Sequence, residues 1–349
     1  MRIAVLHPQT AFAHGGAEIH TTALVRALRE QGHEAEQVTI AGKWYPATEL
    51  AHQMAVWRSF DISESGGLKV DAVIALKFPA YLAPHERKIV WLIHQHRTAY
   101  ELWDHPNYAD LARQDEGPVV RDMVRSADLL ALTEAKRLFA NSKNVQERLR
   151  SSLMVHADVL YHRSPICEAL LTLPPAEPAN HVLYPGRFES LKRQSLMIDA
   201  MRHVRTPVEL VLVGSGPDEA MLRARARDRA VRNRVRIEVG VPDRRLHELY
   251  LTSLGVLYGP FDEDYGYVTI EGFAASRPVV TLADSGGPLE FVIDGETGLV
   301  ADPEPESIAE ALDRLYSDRR SATVWGQAGR QLVDDVVRPW PEVVTKLLA

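Results

Sequence analysis

Short apolar runs alternate with longer amphipathic stretches along the first half of the chain. The run from Arg2 to Leu6 predicts a strand, and the stretch from Gly16 to Glu30 has the spacing of a helix. Further strands are predicted at Ala35 to Ile40, Asp71 to Leu76, Lys88 to Ile93, Leu138 to Asn141 and Asp158 to Tyr161. This alternation is typical of a parallel sheet with crossover helices.

The alternation stops at the segment LTLPPAEPAN and then begins again. Residues 171–180 carry three prolines and no periodicity, so we interpret them as an extended connector between two domains. Beyond the connector, strands are predicted at His181 to Tyr184, Glu209 to Val213, Val235 to Val239, Leu254 to Tyr258 and Val279 to Leu282. The predicted organisation is an N-terminal Rossmann-like domain (1–172), a second doubly wound α/β domain (180–325) and a helical segment (326–349) that packs back on the first domain.

Composition and charge restrict the classes of function. The 349 residues are 46% hydrophobic and 25% charged, as expected for two globular domains. A net charge of -7 argues against nucleic-acid binding, which needs an attractive positive field. The sequence shows neither a signal peptide nor an apolar run of about 18 residues, which predicts a cytoplasmic protein with at most peripheral membrane contact. The single cysteine, Cys167, fits a reducing compartment and a buried structural role.

One segment departs from the acidic average. Residues 223–236 contain seven arginines in fourteen positions. They are enough for a positive patch that touches an anionic membrane surface or nucleic acid, although no aromatic residues interleave them to stack on bases. The alternative, which we favour, is a solvated helix face followed by a strand.

The strongest candidate site is the segment FDEDYGYVTIEGF, in which Glu263 and Glu271 are separated by seven residues. On one continuous helix they would lie about 12 Å apart along the axis and about 80° apart around it, so they would not share a target atom. If the helix begins at Gly266, Glu263 lies in the preceding loop and the two carboxylates can hold two ends of one long ligand. The amides at the helix start then favour an anion such as a diphosphate. The residues of this candidate anion site are Asp264, Tyr265, Gly266, Tyr267 and Val268.

Two further segments of the second half follow predicted strands. The first contains Gly186, Arg187 and Lys192, whose two cations would stabilise the negative charge that develops on a leaving diphosphate. The second contains Gly214 and Gly216, but it lacks the third glycine of a dinucleotide-binding fingerprint, which argues against a nicotinamide dehydrogenase. Ordinary turn glycines remain the alternative for this second segment.

The first half offers three candidate segments. The first helix opens with His14, Gly15, Gly16, Ala17 and Glu18, where glycines would let the backbone approach a ligand closely. A plain turn is the alternative, and the role of Glu18 stays open because an acidic residue in a first helical turn is favourable by itself. His94 and His96 follow a predicted strand, at the edge where open α/β sheets bind ligands. Asn141 and Ser142 also follow a strand, and helix capping accounts for them.

The Glu-x7-Glu segment, with its Tyr-Gly-Tyr insert and the following PVVTLADSGGPLEFVIDGETGLV, resembles the retaining glycosyltransferases of family four (glycosyl transferases group 1). The resemblance implies the GT-B fold, with two facing Rossmann-like domains, the first on the acceptor side and the second binding the nucleotide sugar. It implies that Glu271 bonds the ribose hydroxyls, that Glu263 faces the transferred sugar, and that Arg187 and Lys192 bind the diphosphate.

The resemblance extends to the remaining candidate residues. It implies that the Gly214 to Gly216 turn lines the donor cleft, that Gly15 and Gly16 face the donor phosphates, and that His94 contacts the transferred sugar or the acceptor. The resemblance implies no metal, and no cofactor is expected because the nucleoside diphosphate sugar is a co-substrate. Asp262 and Asp264 form an Asp-x-Asp pair that suits magnesium or manganese in another class of transferase, but the pair lies inside the Glu-x7-Glu loop, where the resemblance implies no metal.

These observations predict a hexosyltransferase that moves a sugar from a nucleoside diphosphate, UDP or GDP, to an acceptor hydroxyl with retention. Two other classes remain open. One is a nucleotide-sugar epimerase of similar two-domain fold, and the other is a non-catalytic partner protein that binds anions through the arginine segment.

Overall fold

The computed structural model describes residues 1–9, 11–12 and 15–349. The strands are β1 (Arg2–Gln9), β2 (Glu34–Ala41), β3 (Glu64–Ser65), β4 (Leu68–Lys69), β5 (Ala72–Lys77), β6 (Lys88–His94), β7 (Arg137–Ala140), β8 (Asp158–Val159), β9 (His181–Pro185), β10 (Glu209–Val213), β11 (Val235–Glu238), β12 (Gly255–Leu257), β13 (Val279–Leu282) and β14 (Gly298–Ala301). The helices are α1 (Gly16–Glu30), α2 (Ala47–Arg58), α3 (Gly117–Thr133), α4 (Lys143–Leu153), α5 (Pro165–Thr172), α6 (Gln194–Ala200), α7 (Glu219–Ala226), α8 (Asp243–Thr252), α9 (Tyr267–Ala274), α10 (Pro305–Ser317), α11 (Arg319–Val336) and α12 (Trp340–Leu348).

The chain divides into two compact units. The first comprises Met1–His162 and Pro339–Ala349, and the second comprises Arg163–Arg338. Each is built on a six-stranded sheet in which all neighbouring strands are parallel. The predicted fold class, two doubly wound α/β domains, is confirmed.

The first unit has the strand order β2-β1-β5-β6-β7-β8. Its strand β5 is buried along its whole length, as in a sheet that is covered by helices on both sides. The β3–β4 hairpin was not predicted, because its four residues are all exposed and carry no apolar alternation. The strand order reverses between β1 and β5, where open α/β sheets bind ligands.

The second unit has the strand order β11-β10-β9-β12-β13-β14, with its reversal between β9 and β12. The strands predicted for this half are all present. The sixth strand, β14, was not predicted, because its four residues follow turn residues and are too few to show a pattern. It pairs with β13, and a Cβ at Gly298 would lie 1.9 Å from the Val279 carbonyl oxygen, so this approach depends on glycine.

The boundary between the units does not lie in the Pro-rich connector. The chain passes from the first unit to the second between His162 and Arg163, so α5 belongs to the second unit. The connector is also held there, since Ala179 donates its amide to Thr252 (2.8 Å) and Arg277 donates to the Ala176 carbonyl. The prolines remove the periodic pattern from this segment, but the segment still packs in the second unit.

The C-terminal return is shorter than predicted. Only Pro339–Ala349 belongs to the first unit, where Trp340 of α12 packs 6.0 Å from the ring of Trp91. Helix α11 stays in the second unit, because Gly326 and Gly329 let it approach α9 closely. A Cβ at Gly329 would lie 2.3 Å from the ring of Phe273.

Candidate functional site

The candidate residues of the second unit follow the strands on either side of the reversal point. Gly186 and Arg187 come directly after β9, and the loop that carries Glu263 comes after β12. Gly214 and Gly216 follow β10, the other neighbour of β9. The carboxyl ends of parallel strands meet at one edge of the sheet, so the fold brings these segments together.

The turn from Gly214 to Gly216 packs backbone against backbone on the loop after β9. A Cβ at Gly214 would lie 2.0 Å from the Gly186 carbonyl oxygen, and one at Gly216 would lie 2.3 Å from that of Phe188. Both glycines have positive φ, 153° and 157°. The amide of Phe188 donates to the Ser215 carbonyl at 2.9 Å. Close backbone packing and positive φ therefore explain why glycine stands at both positions, whether or not a ligand binds there.

Lys192 and Glu263 form an ion pair at this edge. The Lys192 ammonium contacts the Glu263 carboxylate, and the hydroxyl of Tyr258 donates to the same carboxylate oxygen at 3.1 Å. The pair is about four-fifths buried, with side-chain exposures of 18% and 19%. Burial alone would lower the pKa of Lys192, but the Glu263 carboxylate outweighs it and the pKa is raised. Tyr184 also holds the lysine loop by donating to the Lys192 carbonyl.

Two arginines flank this pair, and only one was predicted. Arg187 is half exposed and lies 3.5 Å from Glu189. Arg193, which the sequence analysis missed, forms a bidentate pair with Asp284 (2.7 Å for each bond) and donates to the Gly259 carbonyl at 2.9 Å. It thereby ties the loop after β12 to the loop after β13. Lys192 and Arg193 are adjacent in the sequence, and the sequence alone did not indicate that Arg193 is the one that joins two loops.

Glu271 lies inside α9 and is only 5% exposed. Its Oε1 accepts a hydrogen bond from Ser164 and its Oε2 accepts one from Tyr250, both at 2.6 Å. Burial raises the pKa of this carboxyl, and the two hydroxyl donors act against that rise. The sequence analysis found neither partner, because both lie on other helices.

The loop before α9 has the predicted form. Gly266 caps the helix with φ 86°, so Glu263 lies in the loop and Glu271 in the helix. The loop packs on residues 284–287, since Glu263 donates its amide to Ser285 (2.8 Å) and a Cβ at Gly287 would lie 2.7 Å from the Asp264 carbonyl oxygen. The segment from Asp264 to Val268 thus stands at a helix N-terminus, whose first amides lack intrahelical partners. Across the described residues, no group of three or more His, Cys, Asp or Glu side chains could hold a metal ion.

The first unit has a separate cluster around Glu18 at the start of α1. The Glu18 carboxylate accepts from the Gly15 amide (2.9 Å), contacts His7 Nε2 (3.3 Å) and lies 4.0 Å from the Lys77 ammonium. Burial acts to raise the pKa of Glu18, but His7 and Lys77 lower it to about 2. Gly16 is the first residue of the helix. His14 lies outside the described residues.

The remaining candidates of the first unit separate into different roles. His94 ends β6 and donates from Nδ1 to the Gln95 carbonyl at 2.7 Å. His96 stacks on Trp44, and burial together with His94 lowers its pKa to about 4, which indicates a structural histidine. Ser142 caps α4 by accepting the Val145 amide at 3.0 Å, so the capping interpretation is confirmed for Ser142.

The arginine segment is largely a solvated structural face. Arg223 pairs with Glu219 (2.8 Å), Arg225 pairs with Asp199 (2.8 Å), and Arg234 donates to the Val204 carbonyl (2.7 Å). Three of its exposed arginines, Arg227, Arg229 and Arg232, lie in the turn between α7 and β11. Cys167 is buried, as predicted. Over the described ranges, no helix combines the length and the apolar character that a membrane span requires.

Comparison with known proteins adds three findings. Residues 172–332 match the family model described as "Glycosyl transferases group 1". The chain is 26% identical to the lipopolysaccharide core biosynthesis glycosyltransferase LpsE of Rhizobium meliloti, over 92% of this chain and 94% of that protein. It is 31% identical over 114 residues to the alpha-1,3/1,6-mannosyltransferase ALG2 of Dictyostelium discoideum, which covers 33% of this chain and 27% of ALG2.

The fold has solved counterparts, and several curated relatives are matched over only part of their length. The structure of Anabaena HepE in complex with UDP superposes with a TM-score of 0.69 at 16% identity, over 100% of this chain and 98% of that one. At that identity the likeness establishes the fold. Several curated relatives, ALG2 among them, are matched over about a third of their length or less.

Proposed function

We propose that the chain is a glycosyltransferase, because residues 172–332 match the family model described as "Glycosyl transferases group 1". The reaction is transfer of a hexose-type sugar from a nucleoside diphosphate sugar to an acceptor hydroxyl, with retention at the anomeric carbon. The observation that supports it best is the arrangement at the edge of the second sheet. An anion-binding helix start stands beside a Lys192–Glu263 pair, and Glu271 lies further along the same helix.

In this proposal the diphosphate is bound by cations of the protein. Arg187 is half exposed, and Lys192 is held in place by Glu263 and Tyr258. A diphosphate that enters the site offers Lys192 a second negative partner, which leaves the Glu263 carboxylate to accept hydroxyl groups of the sugar. Positive charge fixed in advance at the leaving group stabilises the transition state.

Glu271 would bind the ribose. A carboxylate has about four lone-pair positions, and Ser164 and Tyr250 use two of them. The remaining positions suit two adjacent ribose hydroxyls. The HepE structure contains UDP, which supports a nucleoside diphosphate as the ligand class.

Incubation with a panel of UDP- and GDP-sugars and a set of hydroxyl acceptors tests the proposal. We expect release of nucleoside diphosphate that depends on an added acceptor, with the anomeric configuration of the donor preserved in the product by NMR. A changed sugar that stays attached to its nucleotide would indicate an epimerase instead. Failure of every nucleotide sugar to bind would contradict the proposal and leave the anion-binding alternative.

Substitutions of Glu271 and Glu263 should affect the binding of different ligands. Glu271→Ala is expected to weaken free nucleoside diphosphate about tenfold or more, because hydrogen bonds to a charged group contribute about 1.5 to 3 kcal/mol each. Glu263→Ala should leave that ligand nearly unaffected and lower both turnover and affinity for the intact nucleotide sugar. Calorimetry with both ligands measures this, and Glu310→Ala, an exposed carboxylate on α10, is the matched control. Equal losses for both ligands in both variants would withdraw the site assignment.

We also propose that turnover needs no divalent metal, because Arg187 and Lys192 supply the positive charge. A chelator should leave the rate within about twofold of the untreated enzyme. Activity that is lost on chelation and restored by manganese would instead assign the Asp262 and Asp264 carboxylates to a metal.

A further inference from the structure

The Glu271 carboxylate accepts one hydrogen bond on each oxygen, from the hydroxyls of Ser164 and Tyr250, both at 2.6 Å. Ser164 stands at the start of α5, where its hydroxyl accepts the Cys167 amide (3.0 Å) and donates to Glu271. Tyr250 stands in α8 and is fully buried. Two short bonds from two different helices leave the carboxylate one orientation.

Other ionisable groups around Glu271 cannot replace these donors. Cys167 on α5, Tyr258 after β12 and Tyr267 on α9 all feel the Glu271 charge, and each has its own pKa raised, so all three are neutral near pH 7. Arg330 of α11 donates to the carbonyls of Ala274 and Leu171. The carboxylate is therefore stabilised by neutral hydroxyls rather than by an opposite charge.

We propose that Ser164 and Tyr250 are positioning residues of the nucleotide site, which hold the Glu271 carboxylate in the orientation and the ionised state that a ribose diol requires. The proposal rests on the proposed function, because it assigns the ribose to Glu271. It also predicts a specificity. The hydroxyls of Ser164 and Tyr250 should raise the affinity for nucleotides that carry ribose hydroxyls and should not affect the affinity for nucleotides that lack them.

The physical reason is that a buried carboxylate is ionised only when donors stabilise its charge. Without one donor, a larger fraction of Glu271 is protonated as the pH falls, and the rotated carboxyl offers fewer acceptor positions to the ribose. The loss should therefore grow from pH 8 to pH 6. A variant that merely loosens the fold would weaken all nucleotides alike and at every pH.

The experiment is calorimetry of the full chain with UDP and GDP and with their 2′,3′-dideoxy counterparts at pH 6 and pH 8. Tyr250→Phe and Ser164→Ala should weaken the ribonucleotide about tenfold at pH 6 and less at pH 8, with the dideoxy nucleotide unchanged at both. Ser164→Thr, which keeps the hydroxyl, should restore binding. Ser253→Ala is the matched control, because Ser253 is a buried serine that donates to the Tyr250 carbonyl and not to Glu271.

The outcomes separate this inference from the proposed function. Equal weakening of ribose and dideoxy nucleotides, or a loss that does not change with pH, would overturn the positioning role while sugar transfer by the unaltered protein still stands. No binding of any nucleoside diphosphate to the unaltered protein would overturn both. If Tyr250→Phe does not fold, the comparison of Ser164→Ala with Ser164→Thr still decides the question.

Discussion

Glu18 and Glu271 are two largely buried carboxylates in the two units, each in the helix that follows a strand beside the reversal point of its sheet, and their pKa values shift in opposite directions. Glu18 faces Lys77 and His7, and its pKa is lowered to about 2. Glu271 accepts hydrogen bonds from the hydroxyls of Ser164 and Tyr250, and burial raises its pKa. Burial acts to raise the pKa of both carboxyls, and of the two only Glu18 has a lysine beside it, which turns the shift downward.

The glycine-rich turns of the two units differ in the same way. Gly214 and Gly216 are required by the backbone that packs against them. A Cβ at Gly15 would meet, among the described residues, only Glu18 Oε2, at an ordinary 3.6 Å. Gly15 also has φ -157°, which any residue adopts. Packing therefore explains the glycines of the second unit, and among the described residues it gives no such reason for Gly15.

The largest expected effect is that of Gly214→Ala. The added methyl would meet the Gly186 carbonyl oxygen, and the backbone has a φ that side chains rarely adopt, so we expect a loss of about 3 to 5 kcal/mol in the free energy of unfolding. Gly15→Ala should change it by less than about 0.5 kcal/mol and instead lower affinity for the nucleotide sugar. Urea unfolding of both variants measures the contrast, and similar midpoints would remove it.

Glu18→Ala should have the next largest effect. It leaves the Lys77 ammonium buried without its carboxylate, and removal of one partner from a buried pair costs about 3 kcal/mol or more. The double variant Glu18→Gln with Lys77→Met should recover part of that loss, because no unpaired charge is left. If the double variant is less stable than Glu18→Ala, Lys77 is not balanced by Glu18.

The smallest effect concerns the pH dependence of stability. The folded pKa of Glu18 is below its ordinary value of 4.5, so its contribution is present above pH 4.5 and is lost as the pH falls through about 2. The folded pKa of Glu271 is raised, so the folded state holds that proton more tightly and loses stability as the pH rises above 4.5. Relative to the unaltered chain, Glu18→Gln should become less stable from pH 3 to pH 5, and Glu271→Gln should become more stable from pH 5 to pH 7. If the stability differences of the two variants from the unaltered chain changed with pH in the same direction, the comparison of Glu18 with Glu271 would be contradicted.

The sequence by itself determined the elements and much of the site's layout. Apolar runs and helical spacing are local signals, so α1, β10 and β13 have the predicted bounds. The Glu263 loop and the Glu271 helix also followed from local information, because Gly266 marks the helix start. Short exposed or glycine-led strands such as β3 and β14 carry too few residues to show a pattern.

Only the tertiary structure decided which groups surround the candidate residues. Ser164 is 107 positions from Glu271, and Lys192 is 71 positions from Glu263, so no local pattern links them. The unit boundary and the short C-terminal return were likewise decided by packing of α5 and α11 on α9. The pKa of a side chain, or the need for a glycine, depends on atoms that distant segments bring within a few ångströms. The candidate residues could therefore be predicted from the sequence, whereas their partners and their pKa values could not.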